Sequence, residues 1–252
     1  MNWGYLLIVV LVGIAVLILF LVKYRTLPQS TYIPGAAWTR ALLYMILCNI
    51  ISVLSGTFDI LITRPLVTAS QLADWRWILF CGGCFLYIFI AYWILWAKMT
   101  LTFDRKYYIG SEIVFGLLWG WSTGQVLLSF YHLWHMTGWS PVIVYLGSYA
   151  CMGMWQYFVQ DYFWDLYVSP EHDTPRSLIL KTMVSHIPNV ALCLLFLVIY
   201  ENYLIYVLSQ IFALTAAAIF QKFPAPWATG HFDAPKVRPG LFGLPHGAGY
   251  IE

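Results

Sequence analysis

Residues Trp77–Ala97 have the sequence WILFCGGCFLYIFIAYWILWA, which places no charged side chain between Arg76 and Lys98. A helix of roughly 20 apolar residues crosses the hydrocarbon core of a bilayer, which is about 30 Å thick. Hydrophobic residues make up 61% of the 252 residues of the chain, and charged residues make up only 10%. A chain with so little polar surface is predicted to be a membrane protein and not a soluble globule.

Six more apolar runs of similar length occur along the chain. They lie at Tyr5–Val22, Ala41–Ile62, Gly110–Tyr131, Pro141–Gln160, Thr182–Tyr200 and Tyr203–Gln221. Backbone polar groups must be paired inside lipid, and the alternating pattern of barrel strands is absent, so all seven runs are predicted to be helices. We expect an all-α, polytopic membrane bundle with seven transmembrane helices over residues 1–222. The first run is expected to be an uncleaved anchor, and the last two to form an antiparallel hairpin.

The basic residues predict how this bundle is oriented. Eleven of the thirteen Lys and Arg residues fall into four alternate segments between the runs. These residues are Lys23, Arg25, Arg40, Lys98, Arg105, Lys106, Arg176, Lys181, Lys222, Lys236 and Arg238. By the positive-inside rule, the N-terminus lies outside and the C-terminus in the cytoplasm, with Arg64 and Arg76 on the outer side. The protein is therefore expected to be a multi-pass protein of the plasma or inner membrane.

Residues 223–252 form a cytoplasmic tail in this prediction. The tail is rich in Pro and Gly, which disfavour regular structure, so it is expected to be irregular or to dock on a partner or on the cytoplasmic mouth of the bundle. The net charge of +2 is spread over short groups beside the membrane and forms no long basic face. This distribution argues against a nucleic-acid partner and leaves the lipid bilayer, a lipophilic small molecule and other membrane subunits as the expected partners.

Two patterns of small or polar residues stand out within the runs. The second run spaces Asn49, Ser52, Ser55, Gly56 and Asp59 by three and four positions, so that they share one helix face. Such a face is either the wall of a polar cavity or a tight seam between helices. The fourth run repeats glycine every fourth residue, a ladder that allows another backbone to approach closely. The glycines of this ladder are Gly116, Gly120 and Gly124.

The densest polar chemistry lies at the predicted cytoplasmic ends of runs four, five and six. Glu112, Asp161, Asp165 and His186 are expected at the same level there, and Pro188 is expected to kink the sixth run beside the histidine. Carboxylates and an imidazole in one apolar environment suit acid–base catalysis. Glu112 is also explained as an acid in the first turn of a helix, where the helix dipole favours negative charge.

Deep aromatic and amide side chains are the predicted walls of a substrate pocket. This set comprises Trp119, Trp121, Gln125, Trp155, Gln156, Tyr157 and Asn189. Large rings inside helices can contact a flat lipophilic molecule, although packing alone also accounts for any one of them.

Other candidate groups have simpler interpretations. The two histidines His132 and His135 are too few for a zinc or copper site and fit an aromatic belt at the membrane interface. The pair Cys81 and Cys84 is more typical of helix packing than of redox chemistry. The histidine pattern of membrane desaturases is absent, and the last run contains no lysine for a retinal Schiff base. The sequence therefore predicts no metal ligand and identifies no cofactor.

The function expected from these features is that of a membrane-embedded enzyme. It would act by acid–base chemistry, with or without a metal ion, on a lipophilic substrate such as an isoprenoid, a sterol or another lipid. An isomerase, a cyclase or a lipid-modifying enzyme is the expected class. The alternatives are an accessory subunit of a larger membrane complex, docked through the glycine ladder and the tail, and a small-molecule transporter.

Overall fold

The structure is a computed structural model that describes residues 31–32, 34–96, 109–156, 182–220 and 230–231. Its helices are α1 (Pro34–Ser55), α2 (Thr57–Thr63), α3 (Ala69–Ala73), α4 (Trp75–Ile88), α5 (Ile109–His135), α6 (Pro141–Trp155), α7 (Ile187–Val198) and α8 (Tyr203–Phe220). A π-helical segment, Phe89–Trp96, continues α4, and a second one, Thr182–His186, precedes α7. The described residues are helical apart from their connecting turns and a two-residue pairing of β1 (Thr31–Tyr32) with β2 (Gly230–His231).

Strand β2 belongs to the C-terminal tail of the chain. The two strands are antiparallel, with Thr31 opposite His231 and Tyr32 opposite Gly230. At these two tail positions the backbone therefore has regular pairing, which the Pro and Gly content did not predict. The remainder of residues 223–252 lies outside the described residues.

The polarity of the bundle fits a lipid environment. Large apolar side chains point outward, including Val53, Leu79 and Val142, which are 58%, 65% and 67% exposed. Polar side chains such as Ser122 and Gln125 are instead fully buried. Lipid tails solvate apolar side chains, and polar groups gain partners only inside the bundle. An apolar exterior around polar interior groups is thus compatible with a membrane protein.

Two helical stretches in the described part of the chain are long and apolar enough to cross a membrane. They are Trp75–Leu95 and Ile113–His135. The bent pair Leu42–Ser55 and Thr57–Thr63 makes a third candidate if it counts as one span. Three further helices are apolar but shorter, namely Pro141–Trp155, Met183–Val198 and Tyr203–Ile219. The predicted first span, Tyr5–Val22, lies outside the described residues.

The run Ala41–Ile62 is not one continuous helix, because the helix breaks at Gly56. Gly56 has a left-handed backbone with φ of 78°, and the axes of the helices on either side differ by 87°. Glycine adopts this conformation without the steric cost that a side chain would add. The break also moves Asp59 off the polar face of α1, and its side chain is exposed.

Four buried hydroxyl groups, those of Ser52, Ser55, Thr57 and Ser129, gather at this break. Ser55 Oγ and Thr57 Oγ1 both donate to the carbonyl oxygen of Ser52, at 3.0 and 3.2 Å. Ser129 of α5 lies 3.0 Å from Ser55 Oγ and 2.9 Å from Thr57 Oγ1. Because a broken helix leaves backbone carbonyls that lipid cannot pair, the hydroxyls of Ser55 and Thr57 act as the donors for the carbonyl of Ser52. This part of the polar face of α1 is a seam against α5.

The glycine ladder of α5 packs against α8. A Cβ atom added at Gly116 would lie 2.5 Å from Thr215 Cα, and one added at Gly120 would collide with the backbone of Ile211. One added at Gly124 would meet Val207 Cγ1 at 3.0 Å. The prediction that the ladder admits a neighbouring backbone is confirmed. Its suggested role in docking another subunit is wrong, because α8 of the same chain already occupies it.

A short turn joins α7 to α8, and the two helices contact each other, as the predicted hairpin requires. The backbone N–H of Asn202 donates to Phe196 O at 2.9 Å, just after the end of α7. The side-chain oxygen Oδ1 of Asn202 accepts from the backbone N–H of Ile205 at 3.1 Å. Asn202 is thus the N-cap of α8. Gln71 Oε1 also accepts from Asn202 Nδ2 at 3.2 Å, which ties the turn to α3.

Candidate functional site

Tyr44 lies where α1, α5 and α6 meet in the bundle core. Its side chain is fully buried, and its hydroxyl accepts a hydrogen bond from Trp155 Nε1 at 2.9 Å. The same hydroxyl lies 3.2 Å from Thr123 Oγ1. One phenol therefore joins three helices. In an apolar environment such a link is strong, because no solvent competes for the hydrogen-bonding groups.

Aromatic rings surround this hydroxyl. Trp119 stacks on Tyr44 with ring centroids 4.3 Å apart, and Phe115 continues the stack 5.8 Å beyond Trp119. Trp155 makes an edge contact with Phe130 at a centroid distance of 5.7 Å. Both ring geometries are favourable. We call Tyr44, Phe115, Trp119, Phe130 and Trp155 the aromatic core.

Two amide side chains form a second polar link between α1 and α5. Gln125 Nε2 donates to Asn49 Oδ1 at 3.1 Å, and Asn49 Nδ2 donates to Met45 O at 2.7 Å. Gln125 Oε1 is buried, and no donor among the described residues pairs with it. An unpaired buried acceptor costs about 1–3 kcal/mol, so packing alone does not account for this amide. It can accept a hydrogen bond from a hydroxyl or amine.

Two of the predicted pocket residues, Trp119 and Trp155, are part of the aromatic core. A third, Gln125, lies in the second polar link between α1 and α5. Gln156 is buried next to Trp155 in the sequence, and Trp121 is half-buried.

Two predicted pocket residues remain, Asn189 and Tyr157. Asn189 is buried in α7, where its Oδ1 accepts a hydrogen bond from Cys193 Sγ at 3.2 Å. Tyr157 lies outside the described residues.

The predicted acid–base groups are described only in part. Glu112 belongs to the first turns of α5, and His186 ends the π-helical segment before α7, although neither side chain is among those described. Asp161 and Asp165 lie outside the described residues altogether. Their convergence therefore stays a prediction.

Sequence reasoning missed Tyr44 and Thr123. The available signal was the spacing of Tyr44, Cys48 and Ser52, which extends the polar face of α1 by two turns toward its N-terminus. All three side chains are buried. A tyrosine in an apolar run resembles ordinary packing, because its hydroxyl becomes informative only when its partners on other helices are known.

The remaining candidate groups do not form a metal site or a disulfide. In the described ranges, no three His, Cys, Asp or Glu residues lie close enough to hold a metal ion, and Cys81 and Cys84 are free thiols. His135 Nδ1 lies 3.4 Å from the hydroxyl of Tyr131, whose ring stacks on the imidazole. The half-buried His132 has an unpaired Nδ1 in this part of the chain.

The ion pair between Arg64 and Glu201 lies on the surface of the bundle, beside the turn between α7 and α8. Arg64 Nη1 lies 3.3 Å from Glu201 Oε2, and the guanidinium lies 4.8 Å from the centre of the Tyr203 ring. The side chains of Arg64 and Glu201 are 47% and 55% exposed, so the pair contributes at most about 1 kcal/mol to stability.

Comparison with known proteins adds no family to this description. No protein-family model, curated protein or solved structure matches the chain.

Proposed function

We propose that the protein is a multi-pass membrane enzyme that acts on a lipophilic substrate by acid–base chemistry. The proposed topology has seven spans, an outer N-terminus and a cytoplasmic C-terminus. Contacts that join α2 and α3 to the α7–α8 turn support this topology, since the basic-residue pattern puts all of these segments on the outer side.

The observation that carries the proposal is the unpaired carbonyl oxygen of Gln125, which is buried in the polar link between α1 and α5. Polar groups inside an apolar bundle are expensive unless they are satisfied, and a buried acceptor without a donor calls for a partner. A lipophilic substrate with a hydroxyl or amine would supply that donor, while Trp119 and Trp155 contact its apolar body. Sterols and prenols have this chemistry.

The acid–base groups occupy a different level of the bundle in this proposal. His186 and either Asp161 or Asp165 exchange a proton with the substrate, and Glu112 acts as the second acid. When carboxylates and an imidazole are buried near one another, their proton affinities differ. One group can then donate a proton to the substrate while another accepts one from it.

Lipid analysis of host cells that express the chain tests this proposal. Mass spectrometry of lipid extracts should reveal a species that wild type converts. His186→Ala and Glu112→Gln should abolish the conversion, as should one of Asp161→Asn and Asp165→Asn. Asp59→Asn is the matched control, because Asp59 is exposed at the other end of the bundle, and it should convert like wild type. Full conversion by every acid–base variant at wild-type protein levels would contradict the proposal.

A second candidate function is that of an accessory subunit of a membrane complex. Gly82 and Gly83 are exposed on α4, and a Cβ atom at either position would meet nothing within 4 Å. Small residues on an outward helix face let a partner helix approach closely. If this role is correct, Gly82→Leu should release a copurifying membrane protein, whereas Gly153→Leu on α6 should not.

A further inference from the structure

A pocket of about 330 Å³ lies between the C-terminal half of α5 and α6. It is lined by Phe130, Leu133, Trp134, Thr137, Trp139 and Cys151. Ligand pockets typically measure about 300–1,000 Å³ and are lined mainly by apolar and aromatic side chains. This volume and lining are therefore in the range of a binding site.

Three polar side-chain atoms of the lining, those of Trp134, Thr137 and Cys151, make hydrogen bonds to other lining residues. Trp134 Nε1 donates to Cys151 Sγ at 3.4 Å, and Thr137 Oγ1 donates to Trp134 O at 2.7 Å. The surface that faces the pocket is consequently almost entirely apolar. An ordered water needs two to four polar partners, so water is a poor occupant.

The shape of the pocket depends on a glycine. A Cβ atom added at Gly147 would lie 2.5 Å from Trp134 Cδ2 and 2.6 Å from Cζ2, so only glycine lets this indole lie against α6. Gly153 on the same helix has open space at its Cβ position. The wall formed by Trp134 is thus fixed by close packing.

We infer that this pocket binds the hydrocarbon chain of a lipid or of a free fatty acid. An apolar pocket that is left unfilled forfeits dispersion contacts along its lining, and water replaces these contacts poorly. A hydrocarbon chain restores these contacts and exposes no polar group to the lining. The site goes beyond the proposed enzyme function, because it lies at the end of α5 away from Glu112 and its occupancy requires no catalysis.

Photolabelling tests the inference directly. The full chain in phosphatidylcholine nanodiscs is irradiated with a diazirine-bearing palmitic acid, and the labelled peptides are identified by mass spectrometry. Saturable labelling of the peptides that contain Trp134, Trp139 or Cys151 is expected. Cys151→Trp fills the pocket and should abolish this labelling, whereas Ala150→Trp, on the exposed face of α6, should retain it.

A second readout uses the wild-type chain and does not depend on the folding of a variant. Cys151 is half-buried at the pocket, and Cys81 is half-buried on α4. Excess palmitic acid should slow the reaction of an uncharged maleimide with Cys151 and leave that of Cys81 unchanged. Protection by free palmitic acid identifies a free chain as the ligand. Protection already present in phosphatidylcholine, and lost in short-chain detergent, identifies a bilayer lipid. Labelling that neither saturates nor responds to Cys151→Trp, together with no protection of Cys151 under any condition, would overturn the inference.

Discussion

Tyr44 and Trp155 are 111 positions apart, yet the indole nitrogen of Trp155 donates a hydrogen bond to the phenol oxygen of Tyr44 at 2.9 Å. The bond joins α1 to α6, and the contact of Tyr44 with Thr123 adds α5 to the same junction. A few directional links of this kind determine how helices associate in a membrane, because lipid tails are as apolar as the helices and provide no hydrophobic drive.

Removal of the Tyr44 hydroxyl should destabilise the protein. Tyr44→Phe keeps the stack on Trp119 but leaves Trp155 Nε1 without its acceptor, so we expect a loss of about 1–2 kcal/mol in the free energy of unfolding. The measurement is denaturant unfolding in detergent. Tyr149→Phe is the control, since this half-buried ring stacks on Tyr145 and its hydroxyl makes no hydrogen bond to a described residue. Equal effects of the two substitutions would argue against a special role for Tyr44.

Glycine substitutions should have opposite effects on different helix faces. Gly120→Ala forces α5 away from Ile211, and overpacking of this kind costs about 1–3 kcal/mol. Gly82→Ala meets open space and should stabilise its helix by about 0.5–1 kcal/mol, because alanine restricts the unfolded chain more than glycine does. Thermal unfolding of both variants measures the difference. A stabilised Gly120→Ala variant would contradict the packing of α5 on α8.

The hydroxyl cluster at Gly56 predicts a contrast between two serines of α5. Ser129→Ala removes contacts with Ser55 and Thr57, so we expect a loss of about 1–2 kcal/mol in stability. Ser122 donates to Leu118 O on its own helix, and Ser122→Ala should change stability by less than about 0.5 kcal/mol. Chemical unfolding in detergent distinguishes the two. Comparable losses would mean that the cluster does not stabilise the break.

The predicted orientation can be tested at the Arg64–Glu201 pair. A membrane-impermeant maleimide added to intact cells should label Arg64→Cys and Glu201→Cys, because the positive-inside rule puts both on the outer side. Lys181→Cys should react only after the cells are permeabilised. Labelling of Lys181→Cys in intact cells, with Arg64→Cys and Glu201→Cys protected, would show that the predicted orientation is reversed. It would not contradict the packing of the helices.

The sequence was informative where a physical rule acts locally. The glycine ladder of α5 and the hairpin around Asn202 followed from helix spacing and from the length of one connection. The break at Gly56 did not follow, because an apolar run continues on both sides of it and the contacts of Ser55 and Thr57 with Ser129 on another helix cannot be read from that run.

The candidate site shows the same division. Trp119, Gln125 and Trp155 were predicted from their depth within apolar runs, but Tyr44 was missed because its partners come from two other helices. Which helices face one another depends on tertiary packing, and periodicity within one run carries no information about it. The unpaired oxygen of Gln125 is likewise visible only when its surroundings are known.

The most direct test of the account is the substitution Gln125→Leu. It removes an unpaired buried acceptor but also takes the donor from Asn49 Oδ1. These two effects oppose each other, so stability should change by no more than about 1 kcal/mol. Gln210→Leu, a buried glutamine of α8, is the matched control. We measure the lipid species converted in host cells at equal protein levels. We expect Gln125→Leu to lose conversion and Gln210→Leu to retain it. Wild-type conversion by a folded Gln125→Leu variant would contradict the account.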